Sequence, residues 1–315
     1  MNNSNAVELN SVTKRFGSQT AVDRLDLAVP SESIYGFIGP NGSGKTTTMR
    51  MILRIYAPDA GQITVLGETA GQATNDRIGY LPEERGLYRR MTVRKVLRYF
   101  ARLKGVTRPD QAVTEWLERV DAASWANKRI DQLSKGMAQK VQFVSAVIAR
   151  PQLIILDEPF SGLDPVNMDL LKDVVLELQR NGSTIIFSTH DMDVAERLCN
   201  RVFMVFRGEK VLDGTLDSIQ ADYGDDRLRV RMANGDVLPT KIPGVRQQTP
   251  DGRFTLLDLE EDARRPDVLR YLSGLGDLEH FETVRPSLHD IFVRIAGPEA
   301  KAEAEANAAS PGVSA

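Results

Sequence analysis

The chain has 315 residues, a formal net charge of -3, and 42% hydrophobic and 26% charged residues. This composition excludes bulk disorder, and the longest apolar runs, such as 144–149, fall far short of the roughly 20 residues that span a membrane. The near-balanced charge gives no electrostatic reason to expect nucleic acid, and the single cysteine, Cys199, cannot form an internal disulfide. Because the N-terminus also lacks the features of a signal peptide, we expect a soluble intracellular protein of one or two domains.

Residues 1–216 alternate apolar runs, glycine turns and helical patterns. Apolar runs predict strands at five places: 7–16, 34–38, 61–67, 153–156 and 184–189. Apolar residues at helical spacing predict one helix over 92–104 and a second that begins near Pro109. These two helices interrupt the alternation of strand and helix, so we expect a helical insertion at about 88–150.

Residues 217–297 have shorter patterns and predict a small α+β domain. Strands are predicted over 228–232 and 254–259, and Asn234-Gly235 after the first of them is a hairpin signal. A helix is expected from Pro266, and a final apolar stripe, which we interpret as core, contains Leu288, Ile291, Phe292 and Ile295. Residues 298–315, rich in Ala, Glu and Ser, predict a disordered tail.

A glycine-rich segment follows the strand predicted at 34–38 and precedes a predicted helix. Its residues match G-x-x-x-x-G-K-[ST]: Gly39, Pro40, Asn41, Gly42, Ser43, Gly44, Lys45 and Thr46. Glycines let successive backbone N–H groups point at phosphate oxygens, and the helix adds its positive N-terminal end. Lys45 would lie at the β- and γ-phosphates, Thr46 could bind Mg²⁺, and Thr47 follows at the same helix end.

Carboxylates and a histidine follow two other predicted strands. Asp157 and Glu158 end the strand at 153–156, and His190 ends the strand at 184–189. Ligands of parallel sheets bind at the carboxyl ends of the strands, so these side chains should lie beside the glycine-rich segment. Asp157 could then bind Mg²⁺, Glu158 could accept a proton from an attacking water, and His190 could reach the γ-phosphate.

These elements together resemble the nucleotide-binding subunit of an ABC transporter over about residues 5–215. Residues 39–46 and 153–158 resemble its Walker A and Walker B motifs, and His190 its switch histidine. The other matching residues are Phe16 for the aromatic adenine contact, Ser134 and Gly136 for the signature, Asp164 for the D-loop and Glu83 for the Q-loop. The resemblance implies an α/β fold: a P-loop NTPase core with an antiparallel β subdomain and a helical insertion, plus the small C-terminal α+β domain.

Two motifs depart from the family pattern. The family signature is usually Leu-Ser-Gly-Gly-Gln. In this chain Lys135 replaces a glycine and Met137 replaces the glutamine. Ser134 and Gly136, which contact the γ-phosphate in the family, are kept. Glu83 stands where the Q-loop has glutamine. A glutamate can still bind Mg²⁺ through oxygen, but its charge changes the local electrostatics.

The resemblance also implies a mechanism with ATP and Mg²⁺. Glu158 would deprotonate water, His190 would steady the γ-phosphate, and Lys45 would offset charge. Thr46, Asp157 and Glu83 would hold the metal, and the family's dimer places Ser134, Gly136 and Asp164 of one subunit against the nucleotide of another. The partners implied are a second ATPase subunit, in a homodimer or heterodimer, and an ABC-2-type permease, with no nucleic acid. The chain would then lie in the cytoplasm on the inner face of the membrane.

Several sequence features favour an exporter subunit over other kinds of ABC ATPase. The stretch 80–88, the Ser-Lys-Gly signature and the segment 285–292 resemble a bacterial exporter branch that includes sodium-export and drug-resistance ATPases. Tyr88, Arg89, Arg90 and Met91 are candidate permease contacts. One alternative is a non-transport ABC ATPase that acts on ribosomes or DNA, against which stand the single phosphate loop and the absence of a long coiled-coil insertion. An importer subunit is the other alternative.

Overall fold

The computed structural model describes residues 5–69, 75–84, 86–224, 227–233, 238–260 and 262–297. The chain divides into two compact units, 1–216 and 217–315. The tail predicted at 298–315 lies outside the described residues.

The N-terminal unit combines a parallel sheet, an antiparallel sheet and helices. Its strands are β1 (Asn5–Phe16), β2 (Gln19–Pro30), β3 (Ile34–Ile38), β4 (Ala60–Val65), β5 (Ile78–Leu81), β6 (Leu153–Asp157), β7 (Thr184–Thr189), β8 (Arg201–Phe206) and β9 (Glu209–Thr215). Its helices are α1 (Lys45–Ile52), α2 (Val93–Leu103), α3 (Pro109–Arg119), α4 (Lys135–Val147), α5 (Pro165–Arg180) and α6 (Met192–Leu198). Short 3₁₀ turns occupy Asn75–Arg77, Ala123–Trp125 and Ile130–Gln132.

Six strands form the main sheet in the order β5-β6-β7-β3-β8-β9, in which only β9 is antiparallel to its neighbour. All residues of β3, β6 and β7 are buried, which explains why these strands are continuous apolar runs rather than alternating ones. The carboxyl ends of β3, β6 and β7 therefore meet at one edge of the sheet.

A second sheet of order β2-β1-β4 packs against the first. One hydrophobic cluster contains Leu9 of β1, Leu25 of β2, Phe37 of β3 and Phe203 of β8, all at most 1% exposed. Burial of these apolar side chains stabilises the contact between the two sheets. The shared core fixes the start of α1, which follows β3, relative to the β1–β2 hairpin.

The two predicted helices after residue 90 are confirmed as α2 and α3. The Thr92 hydroxyl accepts a hydrogen bond from the Lys95 amide at 3.4 Å and caps α2, whereas α3 begins directly at Pro109. Both α3 and α4 contact α2, and α4 also contacts β5. The insertion is thus attached to the sheet through β5.

The C-terminal unit has an antiparallel sheet with the order β11-β12-β10-β13. Its elements are α7 (Leu216–Asp222), β10 (Arg227–Met232), β11 (Val245–Asp251), β12 (Phe254–Leu259), α8 (Arg265–Leu275), β13 (Leu278–Val284) and a last helix, α9, at 288–297. Leu228 and Val230 of β10, Leu257 of β12, and Val268 and Leu272 of α8 form its core.

The strand pairing of this unit differs from what the hairpin signal suggests. The hairpin signal at Asn234-Gly235 lies outside the described residues, and the next described strand, β11, pairs with β12 rather than with β10. Strand β10 instead lies between β12 and β13. The predicted stripe on α9 does include two fully buried residues, Leu288 and Ile291.

The predicted α/β class is confirmed, with its parallel core, antiparallel subdomain, helical insertion and C-terminal α+β unit. Within the described ranges, no helix is long and apolar enough to cross a bilayer.

Gly79 allows β5 to approach α4 closely. A Cβ atom at Gly79 would lie 2.2 Å from the carbonyl oxygen of Ala146, so we expect Gly79→Ala to cost about 1–3 kcal/mol through forced separation of β5 and α4. Chemical denaturation monitored by circular dichroism measures the loss. The control is Gly86→Ala, where no atom lies within 4 Å of the added Cβ. An equal effect of the two substitutions would contradict the close packing.

Candidate active site

The parallel register aligns the ends of three strands. Ile38, the last residue of β3, pairs with Thr189 of β7, and Asp157, the last residue of β6, pairs with Ser188. The glycine-rich segment 39–44, the two carboxylates and His190 therefore leave the sheet side by side, as the sequence predicts.

Two glycines in the segment 39–44 are required by close backbone approaches. Gly39 has φ +151°, and a Cβ atom there would lie 2.2 Å from the carbonyl oxygen of Val205. Gly44 has φ +109°, and its Cβ would lie 2.6 Å from the carbonyl oxygen of Ala21. Only glycine combines this backbone conformation with these contacts. The segment is thereby pressed onto β2 and β8 while α1 begins behind it.

Lys45, the first residue of α1, is only 6% exposed. Its ammonium donates hydrogen bonds to the carbonyl oxygens of Gly39 at 2.7 Å and Pro40 at 2.9 Å. Burial lowers the pKa of Lys45, and three nearby carboxylates partly oppose this shift: Glu158, Asp157 and Glu83. The ammonium thus lies within the loop, facing the acids of the neighbouring strands.

Asp157 is 1% exposed and is held by two hydroxyl groups. Its Oδ1 accepts hydrogen bonds from Ser188 Oγ at 2.5 Å and from Thr46 Oγ1 at 3.3 Å. Its other oxygen, Oδ2, is buried and has no hydrogen-bond partner. A buried acceptor without a partner is costly, so this atom is suited to a cation.

Glu158 adopts a left-handed backbone conformation, with φ +50°. Its amide donates to Ser188 Oγ at 3.0 Å, and its Oε1 accepts from the His190 amide at 3.1 Å. The Nδ1 atom of His190 lies 2.9 Å from the same oxygen. The carboxylate side chain is 11% exposed and the imidazole 59% exposed, so the histidine covers the acid from the solvent side.

A cavity of about 520 Å³ opens over these groups. Ten predicted site residues line it: Phe16, Asn41, Gly42, Gly44, Lys45, Thr46, Thr47, Glu83, Asp157 and Glu158. Gln19 and Ala21, which sequence reasoning missed, complete the lining. Backbone amides of a loop, a helix N-terminus and one ammonium form a site that suits a polyphosphate.

Comparison with known proteins agrees with this geometry. Residues 22–161 match the family described as ABC transporter, and residues 214–296 match the ATP-binding protein DrrA1-3-like C-terminal domain. The ABC transporter ATP-binding protein YhaQ of Bacillus subtilis is 42% identical over 92% of this chain and 98% of its own length. The chain belongs to the ABC transporter ATP-binding proteins.

Two other relatives of this ABC ATPase are named for export and for drug resistance. The Nod factor export ATP-binding protein I of Sinorhizobium fredii is 34% identical over 94% of this chain and 87% of its own length. The daunorubicin resistance ATP-binding protein DrrA3 of Streptomyces coeruleorubidus is 31% identical over 93% and 96% of the two chains. A solved ATP-binding subunit of an ABC transporter superimposes with a TM-score of 0.66 at 29% identity, covering 69% of this chain and 93% of that one. The chain is an ATP-binding ATPase.

Seven predicted site residues of the ABC ATPase do not line the cavity: Gly39, Pro40, Ser43, Ser134, Gly136, Asp164 and His190. Gly39, Pro40 and Ser43 belong to the loop itself and His190 contacts Glu158, whereas the other three lie at the starts of α4 and α5. Ser134 is the exposed N-cap of α4 and accepts a hydrogen bond from the Met137 amide at 3.3 Å. Asp164 is the exposed N-cap of α5, where hydrogen bonds from Asn167 lower its pKa. Gly136 lies between these caps, with Gly162 and Leu163 about 3.5 Å from where a Cβ would stand.

Lys135, at one of the signature departures, covers a glycine of the D-loop. Gly162 has φ +75°, and a Cβ there would lie 2.6 Å from Lys135 Cε. The lysine stem therefore packs against the D-loop backbone, so the signature and the D-loop of the ABC ATPase form one continuous surface.

Helix α4 makes two contacts that sequence reasoning missed. Gln142 Nε2 donates to the carbonyl oxygens of Pro82 at 3.1 Å and Glu84 at 3.0 Å. Gln139 Nε2 donates to the carbonyl oxygen of Pro159 at 3.0 Å. A glutamine on an amphipathic helix carries no motif signal, so only the fold reveals that α4 holds the segments beside Glu83 and Glu158.

The residues present fit Mg²⁺. The described part of the ABC ATPase contains no cluster of three or more His, Cys, Asp or Glu side chains able to enclose a metal. Mg²⁺ needs no such cluster, because it is usually bound by one or two carboxylates together with substrate phosphates and water. Asp157 Oδ2, Thr46 and Glu83 face or adjoin the phosphate cavity and supply oxygen ligands of this kind.

Ser188 positions both carboxylates, which gives a test. In Ser188→Ala, Asp157 Oδ1 loses its shortest hydrogen bond and the Glu158 amide loses its acceptor. We expect ATP hydrolysis to fall about 10- to 100-fold through misplacement of the two acids, whereas ATP affinity changes much less. A coupled ATPase assay at varied Mg²⁺ and a nucleotide-binding titration measure the two quantities.

The matched control is Ser183→Ala. Ser183 Oγ also makes a buried hydrogen bond, to the carbonyl oxygen of Pro151 at 2.8 Å, but it lies at the opposite end of β7. If both substitutions reduce hydrolysis equally, loss of stability rather than positioning explains the effect.

Proposed function

We propose that this chain is the ATP-hydrolysing subunit of an ABC exporter, in which ATP closes two ATPase subunits on each other and drives efflux through a separate permease. The observation that carries the hydrolytic role is the contact of Glu158 with His190 beside the loop that holds Lys45. Relatives named for Nod factor export and daunorubicin resistance support export over import. The DrrA1-3-like C-terminal match supports the same branch.

Glu158 is the general base in this proposal. Its carboxylate is oriented by the backbone amide and the Nδ1 atom of His190. Its backbone is held by the hydrogen bond from its own amide to Ser188 Oγ. A water that attacks the γ-phosphorus transfers a proton to Glu158 as the bond to ADP breaks, and the products are ADP and phosphate. Lys45 offsets charge on the transferred group, and His190 lies where it can hold a γ-phosphate oxygen.

Asp157, Thr46 and Glu83 would hold Mg²⁺. Bound there, the ion would offset the negative charge of the β- and γ-phosphates. Glu83 is exposed at the cavity wall, and as a carboxylate it adds a negative charge that the family glutamine lacks.

A second ATPase subunit completes the site. Ser134, Gly136 and Asp164 do not line the cavity of their own chain, and two of them are exposed. We propose that they contact the nucleotide held by another subunit, while Phe16, which is 45% exposed and packs edge-on against Tyr56, stacks on the adenine. Because every catalytic position is present in this chain, a homodimer would have two active sites.

The permease surface is an apolar groove of about 380 Å³ between β5, α2 and α4. Its lining includes Leu53, Leu87, Phe100 and Leu103, and Leu103 is 60% exposed. Tyr88, one of the contacts suggested by the sequence, is 51% exposed beside it. Exposed apolar side chains that line a groove on the surface of a protein are candidate contacts for a partner. We propose that an ABC-2-type permease binds here, which places the chain on the inner face of the membrane.

Glu158→Gln tests the catalytic role. Glutamine preserves the hydrogen-bond acceptor for the His190 amide but cannot take a proton, so we expect hydrolysis to fall about 10²- to 10⁴-fold with ATP binding intact. The ATP-bound variant should accumulate as a dimer in light scattering. Glu84→Gln removes an exposed neighbouring carboxylate and should leave both properties unchanged. Wild-type turnover by Glu158→Gln would contradict the assignment.

Capture of the partner tests the transport role. Tagged Glu158→Gln with Mg-ATP should recover a polytopic membrane protein from detergent-solubilised cells. The same variant carrying Leu103→Asp should still dimerise but lose this protein, because a charge would be placed in the apolar groove. Recovery of ribosomes or DNA-bound proteins without a membrane partner would favour the non-transport alternative and leave only the ATPase activity.

A further inference from the structure

The C-terminal unit contains a second cavity, of about 620 Å³, which we call the arginine cavity. It lies between one face of the four-stranded sheet and helix α9. Its lining consists of Arg227, Arg229, Leu256, Val284, Pro286, His289, Asp290, Val293 and Arg294. None of these residues has a part in the proposed ATPase mechanism.

The sheet side of the cavity presents two fixed guanidinium groups. Leu228 and Val230 of β10 are buried in the core with α8, so the alternating residues Arg227 and Arg229 lie on the opposite face of the sheet. Arg227 Nε lies 2.5 Å from a carboxylate oxygen of Asp258. This carboxylate is not part of the lining, so it holds the guanidinium from beside the cavity.

Arg229 is held in a similar way. One of its terminal nitrogens lies 2.9 Å from Asp251, and its guanidinium carbon lies 5.7 Å from the centre of the Phe254 ring. Neither partner lines the cavity. The Nε atom of Arg229 is buried without a hydrogen-bond partner, which leaves this guanidinium under-satisfied.

The helix side adds a further cation and an acid that is already engaged. Arg294 reaches across to donate to the carbonyl oxygen of Tyr223 at 3.1 Å. Asp290 accepts hydrogen bonds from the amide of Ser287 at 3.1 Å and from its hydroxyl at 2.7 Å, which caps α9 and lowers the Asp290 pKa. The carboxylate therefore serves the helix end, and the lining contains three arginines against one acid.

The remaining wall consists of His289 and four apolar residues: Leu256, Val284, Pro286 and Val293. Guanidinium groups match the geometry of phosphate and carboxylate oxygens, and a cavity of this volume is in the range of small-molecule sites. We propose that the arginine cavity binds an amphipathic anion, in which a phosphate or carboxylate head contacts the arginines and a short apolar chain covers the opposite wall. This site is separate from the proposed ATPase function and does not depend on it.

Calorimetric titration of the full chain without nucleotide tests the inference, with octyl phosphate below its micellar concentration as the probe. Octyl phosphate should bind with one site per chain. Inorganic phosphate and octanol should each bind with an affinity at least about tenfold lower, because each offers only half of the contacts. Arg229→Gln should weaken octyl phosphate binding about tenfold or more, since one charged hydrogen-bonding partner is lost.

The matched control is Arg231→Gln. Arg231 lies on the same face of the same strand and is paired with Glu279, but it does not line the cavity. Its substitution should leave binding unchanged. A second variant, Val293→Glu, alters a residue that is 50% exposed, so it should fold normally and yet repel the anion.

Vesicle sedimentation distinguishes the source of the anion. Binding to phosphatidylglycerol vesicles but not phosphatidylcholine vesicles, lost in Val293→Glu and Arg229→Gln, would identify a lipid headgroup. Binding of octyl phosphate alone would identify a free amphiphile. The proposal is overturned if neither probe binds saturably, or if Arg231→Gln weakens binding as much as Arg229→Gln.

Discussion

The buried carboxylate of Asp157 joins three neighbouring parts of the N-terminal unit. Ser188 reaches it from β7 and Thr46 from the first turn of α1, while its free oxygen faces no protein donor. Such a group is stable only when its surroundings satisfy it, so the cost of burying it is offset by the hydroxyls and by what the site binds. Each neighbouring part of the site is tied to this carboxylate through one of the two hydroxyls: the phosphate loop leads into α1 and Thr46, and the Glu158 amide donates to Ser188.

The residue after this carboxylate has a strained backbone. Glu158 leaves β6 in a left-handed conformation, which is unfavourable for a residue with a Cβ atom. The hydrogen bond from its backbone amide to Ser188 Oγ and the contact of its side chain with His190 hold it there. The backbone thus turns immediately after Asp157, and consecutive acids take different roles: one is buried toward α1, and the other faces His190.

The sequence was sufficient to predict the three central strands of the parallel core and most of the cavity, but it missed the flanking strands β5 and β8. Continuous apolar runs identify β3, β6 and β7 because all of their residues are buried, and the glycine-rich segment identifies the edge at which they end. Ser188 was not identifiable, since a small hydroxyl residue within an apolar strand gives no signal until its register with Asp157 is known. Strand β11 was also missed. It contains Gln, Pro and Asp, so its structure depends on pairing with β12 rather than on local preference.

Helix α4 touches three separate functional segments along its length. Its N-cap is Ser134, Gln139 holds the backbone after Glu158, and Gln142 holds the backbone on both sides of Glu83. Thirteen residues of helix measure about 20 Å, so one continuous element spans these contacts. Gln139 and Gln142 are three residues apart and lie on one face of the helix, so the backbone after Glu158 and the backbone around Glu83 are both fastened to the same side of α4. Neither segment can shift relative to the other without breaking a hydrogen bond to this helix.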